Sequence, residues 1–164
     1  MEVFQVALIL ATLLCSLVAG FVFAFAVVVM PGIGGLNSEE FIRAFQKMDG
    51  IIQNSQPAFT LVWVGSVITL IIATVSGVAH LDATGVSLLI LSTLAYLLGV
   101  QLPTFTINIP LNKRLQSLNV DVMDASAQQS AREAFEGRWN RWNVIRTVIS
   151  CLVTLLLIVV VLRH

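Results

Sequence analysis

"GVSLLILSTLAYLLGVQLPTFTINIPLNKRL", residues 85–115, begins as hydrocarbon and ends in amides and cations. Residues 85–102 carry no charge and suit a membrane-spanning helix, which needs about 20 apolar residues. If the helix continues beyond Pro103 and Pro110, Gln101, Thr104, Asn108 and Asn112 follow at steps of three, four and four, on one face. Each proline removes a backbone donor and frees a carbonyl one turn earlier, at Gly99 and Thr106, which predicts a kinked end with unsatisfied acceptors. A polar face beside free carbonyls suits a cavity better than a lipid surface.

The rest of the chain agrees with a membrane origin for this stretch. Apolar residues make up 57% and charged residues 11%, where soluble domains carry roughly a quarter charged. Mean hydropathy is +0.92. Spans are predicted at 3–30, 58–79, 85–102 with a helical extension, and 143–162, within one domain covering residues 1–164. Nothing basic precedes the first span, and its apolar run is about twice a signal core, so it is expected to be retained. Cys15 and Cys151 both fall inside spans and read as small packing residues, not as a disulfide.

Charge is balanced in total but lopsided in place. The two long loops hold Arg43, Lys47, Lys113, Arg114, Arg132, Arg138 and Arg141, with Arg146 just inside the last span, whereas the opposite side has only Arg163. The positive-inside rule puts the long loops in the cytoplasm and both termini outside. Lys113, Arg132 and Arg138 need no role beyond setting that orientation.

In the first long loop, Asn37 or Ser38 can cap a helix with Glu39 and Glu40 in its first turn. Phe41, Phe45, Met48 and Ile52 recur on one face, so this amphipathic helix is expected along the membrane surface. Gln46, Asp49 and Gln53 form a second stripe, followed by Asn54, and solvation is the simplest account of it. Residues 119–135 are polar and read as a mobile connection or a short helix.

The last span also carries a polar stripe: Asn143, Thr147, Ser150 and Thr154 at steps of four, three and four, with Arg146 beside it. Unpaired amides and a cation are costly in hydrocarbon, so both stripes should turn inward. Ala7, Ala11, Cys15 and Ala19 allow a close neighbour on the first span. The expected fold is all-α: a left-handed four-helix transmembrane bundle with a polar pocket at its cytoplasmic end. Ser150 and Thr154 are accounted for as interhelical locks, about 0.6 kcal/mol each. An intramembrane Arg is by default a site residue, which singles out Arg146 together with Asn108, Asn112 and Asn143. Neither the third nor the fourth span holds an acid, so Arg146 is expected to bond the freed carbonyls or Asn108 and Asn112. Trp139 and Trp142 fit either an interfacial belt or the pocket wall.

Other chemistries find no support. His80 and His164 are isolated, and no metal-ligand spacing occurs. No phosphate loop, dinucleotide fingerprint or catalytic triad is visible, and the charge balance does not suit nucleic acid.

"MPGIGGL" (30–36), "FQKMDGIIQNSQPAF" (45–59), "NIPLNKRL" (108–115) and "RWNRWNVIRT" (138–147) together resemble the family of small bacterial and fungal membrane proteins that includes the fungal anthrone oxygenases. The resemblance runs in order over nearly the whole chain. Its pattern falls on Gln53, Asn54, Asn108, Pro110, Asn112, Trp142, Asn143 and Arg146, with Asp49 where relatives carry Asn. It implies oxidation of an anthrone to an anthraquinone by dioxygen with no cofactor, in a bacterial inner membrane. Such a reaction needs a dry aromatic pocket, a base and donors for a developing oxyanion. Asn108, Asn112 and Asn143 can donate, Arg146 can hold an oxyanion, and Asp49 is the candidate base. Gln53, Asn54, Trp139, Trp142, Gln101 and Thr104 are the expected substrate contacts. The alternative is a non-catalytic protein that binds a lipid, quinone-like or polyketide ligand, or scaffolds a partner. The expected partner is a hydrophobic small molecule or lipid; transport would need oligomerisation.

Overall fold

A computed structural model describes residues 3–163; His164 lies outside them. Four helices are long and apolar enough to cross a membrane: α1 (Val3–Gly34), α3 (Pro57–Gly77), α4 (Ala83–Gln116) and α5 (Ala125–Arg163). Between the first two lies α2 (Ser38–Gln53). The connections between α1 and α3 and between α4 and α5 meet at one end of the bundle, called here the loop end. The turn at His80 marks the other, where the His80 ring stacks on Phe4.

Two elements run further than the sequence suggests. Helix α4 passes both prolines unbroken, because it widens at Leu97–Gln101 and again at Thr104–Asn108. In these wide turns the N–H groups of Leu102 and Ile109 reach back five residues, to the carbonyls of Leu97 and Thr104. The hydroxyls of Thr104 and Thr106 donate to the carbonyls of Val100 and Leu102, both at 2.7 Å, and not to the expected Gly99 and Thr106. A third wide turn interrupts α1 at Phe25–Val29. The polar stretch read as a connection belongs to α5 from Ala125 onward. Ala, Gln, Arg and Glu are strong helix formers, and their polarity reports solvent, not coil. At about 1.5 Å per residue α5 is roughly 58 Å long, about twice a hydrocarbon core.

The bundle core joins Ala7, Ala11 and Cys15 of α1 to residues of all three other spans, among them Leu70, Tyr96 and Leu157. Cys15 is buried there, whereas Cys151 lies on the outer face, so it does not pack as expected. Helices α4 and α5 approach closely at Gly99, where an added Cβ would come within 2.6 Å of Ile149 Cδ1.

A second core seats α2 at the loop end. Asn37 caps it reciprocally: its Oδ1 accepts from the Glu40 N–H at 2.9 Å, and Glu40 accepts from the Asn37 N–H at 3.4 Å. Phe41 and Phe45 are buried against Phe135 of α5, with ring centroids 6.2 and 4.6 Å away. The stripe assigned to solvent turns inward as well. Gln46 Nε2 donates to the carbonyls of Leu115 and Leu118, at 2.9 and 3.0 Å, and closes the frayed end of α4. Arg132 likewise does more than orient the chain. It donates to the carbonyls of Gly34 and Leu36, both at 2.7 Å, and pairs with Glu136, which fixes the end of α1.

Candidate functional site

The seating of α2 over the open end of the bundle encloses a cavity of about 260 Å³, near the lower limit of small-molecule sites, roughly 300 Å³. All five helices contribute to its wall. Aromatic rings at helical spacing form a continuous arc on its apolar side. Trp63 stacks on Phe59 (5.3 Å), Phe59 meets Phe21 (5.3 Å), Phe21 meets Phe25 (4.9 Å), and Phe25 meets Trp139 (5.8 Å).

The polar side holds two separate hydrogen-bonded chains. In the first, Asp49, only 4% exposed, accepts from Asn112 Nδ2 at 2.8 Å and from Gln53 Nε2. Asn112 Oδ1 in turn accepts from the Trp139 indole N–H at 2.7 Å. In the second, Arg146 donates to Thr104 Oγ1 at 2.8 Å and to Asn143 Oδ1 at 2.9 Å. Asn143 passes its own N–H to the Val22 carbonyl at 3.0 Å. Arg146 is thus held by a hydroxyl and an amide, not by Asn108, Asn112 or freed carbonyls. Glu136, the nearest acid along α5, is bonded to Arg132 instead.

Asp49 and Arg146 both line the cavity, and among the described residues no ion pair joins them. Burial raises the Asp49 pKa above the ordinary carboxylate value, and the hydrogen bonds from Gln53 and Asn112 offset part of that rise. Two buried polar atoms of lining residues lack a protein partner: Asn108 Oδ1 and Arg146 Nε. Asn108 Nδ2 makes only a long contact, 3.5 Å, to the Trp139 carbonyl. Unpartnered buried polar atoms are uncommon enough to need a reason, and a bound polar group would supply one.

Of the residues singled out from sequence, Asp49, Thr104, Asn108, Asn112, Trp139, Asn143 and Arg146 line the cavity. Gln53 is exposed and reaches it only through Asp49. Gln101 stands at its edge, where its Oε1 accepts from the Trp63 indole at 2.8 Å. Asn54 is exposed at the end of α2, and Trp142 points along a different face of α5 from Trp139; neither lines the cavity. The aromatic arc was missed, although Phe21 with Phe25, and Phe59 with Trp63, each stand four apart on one helical face.

A family model described as "Anthrone oxygenase" matches residues 48–156, more than half of the chain. The chain belongs to the anthrone oxygenase family. No curated protein and no solved structure matches it. In this anthrone oxygenase family member the matched stretch begins one residue before Asp49 and takes in α3, α4 and the polar face of α5. Phe21, Val22 and Phe25 of α1, which complete the wall and hold Asn143, lie outside it.

Proposed function

We propose that the cavity oxidises an enolisable polycyclic phenol or quinol-like substrate with dioxygen, as an anthrone is oxidised to an anthraquinone. The reading is carried by one observation: a buried carboxylate and a buried guanidinium line the same aromatic-walled space without being paired to each other. Asp49 takes a proton from the CH₂ carbon conjugated with the substrate's ketone, and the electron pair left behind delocalises onto the ketone oxygen. Arg146 Nε, which has no protein partner, donates to that oxyanion. The enolate passes one electron to dioxygen, and the resulting carbon radical and superoxide combine into a C–O bond. The peroxide takes back the proton held by Asp49. Loss of the remaining C–H proton then expels the distal oxygen, breaks the O–O bond and leaves a second ketone. Substrate and dioxygen go to quinone and one water, with four electrons transferred and no external reductant.

A second reading is a ligand-binding protein without catalysis. The two hydrogen bonds that Asp49 already accepts favour it, because they suit a permanently ionised structural carboxylate. Dioxygen uptake with an anthrone, in wild type and Asp49→Asn, separates the two. The oxygenase reading expects Asp49→Asn to lose about 10²- to 10⁴-fold in rate while still binding the quinone product. Wild-type protein that binds the quinone but does not outpace the anthrone's own autoxidation would leave the binding reading in its place.

A further inference from the structure

The cavity is closed toward the loop end and open on one flank. Asp49 and Ile52 of α2 cover it from the loop end. On the α1–α5 side a groove holding Glu136 and Asn140 meets it only at Asn143, whose amide is fixed by Val22 and Arg146. Between α3 and α4 the wall is different. There Val64 is 50% and Phe105 61% exposed, and Thr60 is exposed beside them. These are positions on spanning helices whose other exposed side chains are mostly Leu, Ile and Val, so the opening faces lipid.

The way α3 and α4 are fastened accounts for the opening. A ladder of side-chain bonds joins them: Thr74 to Thr93 at 2.6 Å, Ser66 to Tyr96 at 2.7 Å, and Trp63 to Gln101 at 2.8 Å. Among the described residues no hydrogen bond joins the two helices from Trp63 toward the loop end, and the mouth begins at that last rung. An apolar groove of about 290 Å³ continues outward along the same seam over Val67, Ile68 and Leu97, and shares Trp63, Val64 and Phe105 with the cavity. Two wide turns of α4, Leu97–Gln101 and Thr104–Asn108, flank the lip.

We infer that the cavity is loaded sideways from the bilayer, between α3 and α4, by a flat aromatic molecule already dissolved in the membrane. The inference rests on the reading of the cavity as an aromatic-ligand site. A polycycle in lipid reaches this mouth without passing through water, and sliding along an apolar groove exchanges one hydrocarbon surface for another. A water-soluble ligand would have to displace α2 or break the Asn143 bonds.

The test uses the full chain in lipid nanodiscs with anthraquinone as probe, followed by stopped-flow quenching of tryptophan fluorescence, since Trp63 and Trp139 line the cavity. The association rate should follow anthraquinone per lipid, not its free aqueous concentration. Thr60→Phe with Val64→Phe should slow association about tenfold or more, with the equilibrium quench retained. Phe105→Ala, which thins the lip, should leave the rate equal or faster, and Asn140→Phe on the α1–α5 side should leave it unchanged. The inference is overturned if the rate follows the aqueous concentration and falls in Asn140→Phe, or if the filled mouth admits the probe at the wild-type rate. No quenching in wild type would remove the aromatic-ligand reading together with it. Quenching with the expected kinetics but no dioxygen uptake would remove only the oxygenase chemistry.

Discussion

Asp49 shows how far one residue's role depends on its neighbours. On the sequence it belongs to a stripe that solvation explains. In the fold it is buried at the cavity, with Gln53 and Asn112 donating to it. Burial is the largest influence on its pKa and raises it, while the two amides pull it down. A base must be ionised to act, so activity should be lost as pH falls through a pKa above the usual Asp value of about 3.9. Gln53 is exposed and touches only the carboxylate's far oxygen. Gln53→Ala should therefore move the acid limb of the rate profile to higher pH and leave the plateau rate nearly intact. An unmoved limb would show that Asp49 is not the titrating group. The sign for stability is opposite. Between the unfolded and the raised folded pKa the native state binds the extra proton, so the Asp49 contribution grows as pH falls through that window and is lost as pH rises. Asp49→Asn should flatten that part of the melting profile.

At the scale of elements, the joint between α2, α4 and α5 runs through Asn112, which uses both ends of its amide. Its Nδ2 holds Asp49 and its Oδ1 accepts from Trp139. From the sequence alone the loss of such an amide amounts to about 1 kcal/mol of helix association. The structure raises that figure, because Asn112→Leu strands two buried partners at about 1–3 kcal/mol each. Its melting temperature should drop measurably without abolishing the fold, and dioxygen uptake and quinone retention should disappear. Asn119→Leu, in the exposed connection after α4, should change none of these. A normally melting, fully active Asn112→Leu would sink the site. The polar stripe of α4 could be read from spacing, because steps of three and four survive on any helix. The length of α5 and the seating of α2 could not. They depend on Phe135 and Trp139 meeting Phe41 and Phe45 across distant sequence, which periodicity does not encode.

For the whole molecule, the four spans follow directly from apolar run length, as the observed helices do. The aromatic arc was harder to see, since Phe and Trp in an apolar run look the same facing lipid or a cavity. Orientation is set by charge. Arg43, Lys47, Lys113, Arg114, Arg138 and Arg141 all stand at the loop end, and Arg163 at the other pairs with Asp82 at 3.2 Å. The loop end should be cytoplasmic. In a background lacking Cys15 and Cys151, a single cysteine at Gln116 should resist an impermeant maleimide in intact cells, while one at Ala83 should react. The reverse pattern would invert the topology and put the Asp49 side outside.

The wide turns of α4 make the site depend on a residue count as well as on residue identity. Each turn accommodates one residue more than an ordinary helix would, and each residue of an α-helix rotates the remaining chain by about 100°. Deleting any one residue within Thr104–Asn108 would let the backbone relax to regular pitch. The segment beyond would then turn by that angle, carrying Asn112 away from Asp49 and Leu115 away from the Gln46 amide. Point substitutions along this stretch can be graded in their effects. A single-codon deletion cannot, so this part of the gene should tolerate changes of letter far better than changes of length.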